Sequence, residues 1–456
     1  MFDFIEKYLM GPMQKFSQLR LVRAITYAGM ASIAFTIVGS AFLVLSVLPT
    51  VFPFMAGFFA ATFDNFTQLY MIGFCASVGT ISIYFLISTT YEYARIFAEE
   101  DEIDIKPLNA VLMSVFMLFM LMPQFGYADG IVKLVTSVTE NAGSYVGSTV
   151  SGWNIGGTGL SRLGATGIFE AIIISWATTR IYVFCIQKNI VVKLPDVVPD
   201  GVARSFTALV PALFVAIASM VVSGVLALLG TDMYQLISIP FGFVVYLTGS
   251  WGGILVIYLL MGALWLVGIH GATIITSFLT PITLANFAAN AAGTSNYVLA
   301  GDFNNAFVTV GGSGATLGLT LMLFFLAKSD QLKYIGRAEI VPAFFNINEP
   351  LIFGLPIVYN PNLAIPFILA PMASASIGYW AITLHIIRPV IAQMPWPTPI
   401  GVGAFISTGG DPMSAVVAIV GAVVAALIYY PFFKRYDKKL CEEEQEKAAE
   451  EAALAA

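Results

Sequence analysis

The chain has 456 residues, 58% of them hydrophobic and 11% charged, with a formal net charge of −6. Soluble globular proteins carry roughly 25% charged residues, so the composition excludes that class and predicts an all-α polytopic membrane protein. Much of the negative charge sits in the acidic stretch Glu442 to Glu451, and no basic stripe of the kind that binds nucleic acid is present.

From the N-terminus, Met1 to Arg23 is polar and mildly amphipathic, carries Lys7, Lys15, Arg20 and Arg23, and shows no cleavable signal. Apolar runs then recur at about 20 residues, the length a helix needs to cross the hydrocarbon core. They predict spans near 24–48, 66–90, 108–126, 164–187, 206–230, 251–270, 309–327, 362–386 and 412–433. The passages 270–308, 338–361 and a shorter one at 389–410 are expected to be embedded but irregular. Around the second of these, Pro342, Pro350, Pro356 and Pro361 argue for short broken helices. The expectation is about ten transmembrane helices with re-entrant hairpins in a unit 1–433, followed by a charged tail 434–456 that forms a solvated cytoplasmic helix or a frayed end.

Basic residues set the sidedness. The segments 1–23, 91–106, 180–204, 328–337 and the stretch after Pro431 hold 18 of the 21 Lys and Arg residues, and the positive-inside rule makes all five cytoplasmic. That alternation closes only if 270–308 returns across the membrane, and it makes both termini cytoplasmic. Between Arg204 and Lys328 there is no Lys or Arg, and the strongly polar ionisable residues there are Asp232, His270 and Asp302.

The constellations able to carry chemistry follow in chain order. Tyr91, Glu92 and Arg95 end the second span, with Arg95 either an inner anchor or a residue of the cytoplasmic mouth. Trp265 precedes His270, which sits between Gly268 and Gly271. Histidine there can shuttle a proton or hydrogen-bond a ligand, or it can be a satisfied core residue. Trp265 can stack on a sugar ring or anchor the interface. The clusters Gly156–Gly159 and Gly311–Gly314 lack the Lys-Ser/Thr ending and preceding strand of a phosphate loop, and close helix packing suits the second.

Asn346-Ile347-Asn348-Glu349-Pro350 then places two amides and a carboxylate in an apolar run. An intramembrane carboxylate costs several kcal/mol unless something there uses it. The set suits sugar hydroxyls or a cation; alternatively, Glu349 caps a broken helix. Trp396, in a stiff Pro-rich segment, either lines the same cavity or belongs to an outer loop. His385 and Arg388 fall near the outer end of a helix. Cys75, Cys185 and Cys441 lack metal or redox spacing, and no cofactor or metal site is expected.

Phe345 through Pro361, with Asn346-Ile347-Asn348-Glu349-Pro350 at its heart, closely resembles the signature of the sugar-translocating enzyme IIC of the bacterial phosphotransferase system. The resemblance is to the lactose/cellobiose/diacetylchitobiose branch, and Trp265 to Gly271 agrees with it. It implies a homodimer in the bacterial inner membrane that moves a disaccharide, with a scaffold and dimer half at 1–205 and a sugar-binding half at 206–433. It also implies phosphorylation of the sugar by the cysteine of a cytoplasmic enzyme IIB. Glu349 is then the group that hydrogen-bonds the reacting hydroxyl and accepts its proton, with His270 beside it. Asn348 and Trp265 match family binding positions and Trp396 matches one approximately, while Asn346 joins the substrate-binding set on its chemistry. Cys441 lies among glutamates with no folded domain to hold it, so enzyme IIB is expected to be a separate polypeptide. A β-linked disaccharide such as cellobiose or diacetylchitobiose is the expected cargo; an ion-coupled symporter, with Glu349 and His270 as coupling groups, or a channel or scaffold are the alternatives.

Overall fold

In hydrocarbon every backbone N–H and C=O must be paired within its own segment, so long apolar runs become helices. The computed structural model describes residues 15, 18–123, 125–128, 130–134, 148–150, 153–155, 161–164, 167–192, 195, 206–267, 270–355, 357 and 360–455. In order these give α1 (Arg20–Val51), α2 (Ala56–Ala61), α3 (Thr67–Ser77), α4 (Ile81–Glu100), α5 (Pro107–Leu121), α6 (Ile168–Gln187) and α7 (Leu209–Leu228). Then come α8 (Met233–Gly249), α9 (Trp251–Leu266), α10 (Gly271–Ala291), α11 (Leu317–Phe325), α12 (Asp330–Phe344) and α13 (Glu349–Gly354). The chain finishes with α14 (Pro361–Thr383), α15 (Val402–Ser407) and α16 (Pro412–Ala455). Between α5 and α6 lie two small antiparallel hairpins, β1 (Phe125–Ala128) with β2 (Ile131–Leu134) and β3 (Ser148–Val150) with β4 (Trp153–Ile155).

Among the described residues six helical stretches are long and apolar enough to cross a membrane, or seven if α8 and α9, bent by 77° about Ser250, count as one. That count takes uninterrupted helices only; α5, at 15 residues, is a shorter apolar helix, and some apolar runs are cut. The predicted span 309–327 is helical only from Leu317, since Gly311, Gly312 and Gly314 take positive φ (78°, 95° and 83°). Conversely, 270–308 opens with a 21-residue helix that continues through Pro281, and most of the basic segment 328–337 forms the first part of α12.

α4, α5 and α6 pack around Leu86, Met117, Leu118 and Tyr182. Arg95 makes a bidentate pair with the buried Glu92 at 2.8 and 2.9 Å, one turn back on α4. The second half packs α14 against α9 and α16, with Phe367, Leu351 and Tyr429 in its core.

α16 runs unbroken across 433/434, so the charged tail continues a membrane helix. Two of its acids, seven residues apart and therefore on one face, grip the start of α12. Asp437 accepts the backbone N–H groups of Lys328 and Ser329, both at 2.9 Å. Glu444 accepts the Ser329 hydroxyl at 2.7 Å and the N–H groups of Asp330 and Gln331, both at 3.1 Å. These are the donors that a helix N-terminus otherwise leaves unpaired. α12 leads directly into Asn346, so the clasp fixes the outer end of the element that delivers the motif.

Candidate functional site

α12 ends at Phe344, and the chain reverses at Asn346 with φ at +59°, a left-handed conformation that asparagine tolerates better than most residues. The Asn346 amide is wholly engaged by backbone. Its Oδ1 accepts the Gly311 N–H at 2.9 Å, and its Nδ2 donates to the carbonyls of Trp396 (3.1 Å) and Thr398 (3.0 Å). Asn346 therefore ties the 311–316 loop to the Pro-rich segment, two stretches with no regular pairing of their own.

Asn348 works differently. Its Nδ2 donates to the Ser313 carbonyl at 2.7 Å and the Thr316 hydroxyl at 2.8 Å, while Oδ1 has no partner among the described residues. Glu349 opens α13 with Pro350 behind it, a position where the missing proline N–H costs nothing. The Glu349 side chain lies outside the described residues.

The 311–316 loop is held as a backbone cradle. Besides the bonds from Asn346 and Asn348, Thr316 donates to the Gly311 carbonyl at 2.6 Å, and the buried Tyr429 hydroxyl donates to the Gly314 carbonyl at 2.8 Å. Its glycines are required by space as well as by φ. A Cβ on Gly312 would stand 2.3 Å from Asn348 Cγ, and one on Gly314 would stand 2.3 Å from the Phe367 ring. The close packing expected of these glycines is seen at Gly314 against Phe367 of α14, although they precede α11, and Gly312 and Ser313 line a cavity. The cluster Gly156–Gly159 lies outside the described residues.

That cavity measures about 510 Å³, within the range of small-molecule sites, ~300–1,000 Å³. His270, Asn346, Asn348 and Trp396 all line it, so four of the six predicted site residues meet at one place. Trp265 does not reach it. It is buried, with its ring centroid 4.4 Å from that of His270, and its indole Nε1 finds no hydrogen-bond partner among the described residues. Gly271 also has a structural reason, since a Cβ there would stand 2.2 Å from the Met261 carbonyl oxygen.

The remaining walls were not assigned from sequence. α1 contributes Ser32 and Thr36, and α10 contributes Thr276, Thr280 and Thr283 at one-turn spacing. The three α10 hydroxyls donate to their own helix carbonyls at 2.7 to 3.1 Å, which leaves lone pairs on Thr280 and Thr283 to accept. Asp302, Asn304, Asn305 and Thr309 form a further polar wall, and Gln393 closes it. The signal was present as Gly301-Asp302-Phe303-Asn304-Asn305 inside an otherwise apolar passage.

A cavity rich in acceptors, amides and hydroxyls, walled by helices of a membrane protein, fits a neutral polyhydroxylated solute. Residues 28–371 match the family described as phosphotransferase system, EIIC. The chain belongs to this family. It is 32% identical over 451 residues to the putative permease IIC component YwbA of Bacillus subtilis (strain 168), covering 96% of each chain. To the cellobiose-specific EIIC component of Geobacillus stearothermophilus it is 34% identical over 456 residues, covering 97% of this chain and 95% of that one. Its fold is similar to the crystal structure of the transporter ChbC, the IIC component from the N,N′-diacetylchitobiose-specific phosphotransferase system. The TM-score is 0.83 at 28% identity, over 97% of this chain and 99% of ChbC. The chain is thus an integral membrane permease component of a sugar phosphotransferase system.

Proposed function

We propose that this permease binds a β-linked disaccharide of the cellobiose or diacetylchitobiose type in the 510 Å³ cavity and releases it as a phosphate ester to the cytoplasm. The observation that carries the reading is the meeting of His270, Asn348 and Trp396 on one cavity, at the end of the helix pinned by Asp437 and Glu444. The sugar named for the Geobacillus relative and the one named for ChbC are both β-linked disaccharides, which supports the choice of class.

In this reading Asn348 Oδ1 accepts a sugar hydroxyl while its Nδ2 stays fixed to the cradle, so the amide arrives pre-oriented. The Trp396 ring covers an apolar sugar face. His270, packed beside Trp265, hydrogen-bonds near the reacting hydroxyl. The Glu349 carboxylate accepts that hydroxyl's proton as its oxygen attacks phosphorus. The new O–P bond forms as the S–P bond to the phosphocysteine of enzyme IIB breaks, and the thiolate leaves. The charged sugar phosphate cannot re-enter the apolar path, so uptake runs one way.

The test is a binding screen of the purified protein against cellobiose, diacetylchitobiose, lactose and gentiobiose, paired with phosphoryl transfer from phospho-enzyme IIB. A β-linked disaccharide that both binds and is phosphorylated is expected. Free-sugar accumulation in vesicles lacking phosphocarrier proteins, abolished by an uncoupler, would instead make the protein a symporter.

A further inference from the structure

Asp302 is only 2% exposed, yet it lines the cavity. A carboxylate taken out of water needs several kcal/mol of compensation from cations or hydrogen-bond donors. No ion pair to Asp302 is found among the described residues, and no Lys or Arg occurs between Arg204 and Lys328. Its known donors are two: Asn305 Nδ2, at 2.7 Å from Oδ1, and the backbone N–H of Met394. An ionised carboxylate offers about four lone-pair sites, so about half of this group's accepting capacity is unused on a cavity wall.

The donor beside it is itself held in place. Asn305 Oδ1 accepts from Asn304 Nδ2 at 3.0 Å, and Asn304 Nδ2 also donates to the Thr309 hydroxyl at 3.2 Å. Thr309 in turn accepts the Gly312 N–H through its carbonyl at 2.9 Å, one residue before the Ser313 carbonyl that holds Asn348. Hydrogen bonds and short stretches of backbone thus tie the Asp302 wall to the loop that holds the amide assigned to the sugar. Residues 304–308 form a π-helical turn, a local widening that recurs at functional positions.

Asp302 brings unused carboxylate lone pairs to this wall, and the complementary ligand offers hydrogen-bond donors. We propose that Asp302 is a sugar-contacting residue, its carboxylate accepting hydroxyl or acetamido N–H groups from the saccharide ring next to the one held by Asn348. This rests on the reading of the cavity as the sugar site. Asn305 is a positioning residue that orients the carboxylate, and Asp302 sets specificity by demanding a ring with adjacent donors. Losing a hydrogen bond to a charged group costs about 1.5–3 kcal/mol, which at 1.4 kcal/mol per decade is roughly a ten- to hundredfold change in affinity.

The test measures binding of the four-sugar panel by calorimetry to wild-type protein and to Asp302→Asn, which keeps the shape and the Asn305 bond but removes the charge. Deoxy analogues of the tightest binder, each lacking one hydroxyl, are measured on both proteins. The expected result is affinity weakened at least about tenfold in Asp302→Asn with an unchanged melting temperature. One deoxy analogue should lose affinity on the wild type and lose nothing further on the variant. Wild-type affinity in Asp302→Asn overturns the sugar-contacting role of Asp302 and leaves the cavity assignment standing. Variant losses equal for every analogue, or rescued by sodium, make Asp302 a structural or cation-binding group and also overturn it. If the variant does not fold, the wild-type deoxy series decides: no analogue weaker than the parent by tenfold at the ring beyond Asn348 contradicts the proposal. A wild type that binds none of the panel contradicts both readings.

Discussion

Asn346 Oδ1 accepts the Gly311 N–H at 2.9 Å across 35 residues of chain, and the same amide holds the Trp396 carbonyl from its other end. Two irregular segments that line the cavity are therefore set by one side chain, with Asn348 two residues on doing the same for Ser313. The two asparagines of the motif differ in what they leave free: Asn346 spends its whole amide on backbone, while Asn348 keeps an acceptor.

Asn346→Ala should accordingly behave as a stability variant. It strands one N–H and two carbonyls and places alanine at a φ of +59°. Each stranded buried group costs about 1–3 kcal/mol. A lowered melting temperature in detergent is expected, with sugar affinity falling alongside it. Asn348→Ala should instead lose affinity by about tenfold or more, although it also frees the Ser313 carbonyl. If Asn346→Ala melts like the wild type, the strut assignment is wrong.

Gly312→Ala adds a single methyl group where Asn348 Cγ stands 2.3 Å away, on a residue with φ of +95°. We expect sugar binding to collapse in this variant. Gly57→Ala, with nothing within 4 Å of its new Cβ, should bind as the wild type does. Parallel binding isotherms on the two proteins check the contrast, and equal affinities would remove Gly312 from the cradle.

Removing the clasp with Asp437→Ala and Glu444→Ala should loosen the first turn of α12. Loss of an N-terminal cap costs about 0.5–2 kcal/mol, so amide exchange at Asp330 to Lys333 should quicken by roughly a few-fold to thirtyfold. Hydrogen-exchange mass spectrometry reads this directly, and unchanged protection would mean that α12 holds its own end.

Glu349→Gln keeps the size and a hydrogen-bonding end but cannot take a proton. Sugar binding within about tenfold of wild type is expected. Phosphoryl transfer from phospho-enzyme IIB should fall by about a hundredfold or more, the range of a general base. His270→Ala should weaken binding by about tenfold or more, and an unchanged isotherm would remove His270 from the site.

Much of the site was legible in the sequence because membrane burial makes polar residues expensive and therefore conspicuous. His270, Asn346, Asn348 and Trp396 stand out in apolar runs and converge on one cavity. Hydropathy could not tell which asparagine was a strut, because that depends on carbonyls 50 and 52 residues away. Nor could it show that the Trp265 ring packs beside His270, since an aromatic five residues from a histidine carries no contact in its spacing. Helix starts were less legible where glycines interrupt an apolar run, as at Gly311 to Gly314, because hydropathy averages over the very residues that break the helix. Charge alone suggested a solvated helix or a frayed end after residue 433, and it could not show that Asp437 and Glu444 accept backbone N–H groups at the start of α12.

A structure of the permease with cellobiose or diacetylchitobiose bound would test the cavity assignment most directly. The account predicts sugar density inside the cavity, with hydroxyls within 3.5 Å of Asn348 Oδ1 and of the His270 ring and one ring over Trp396. Sugar density elsewhere in the molecule, with these three residues untouched, would contradict it.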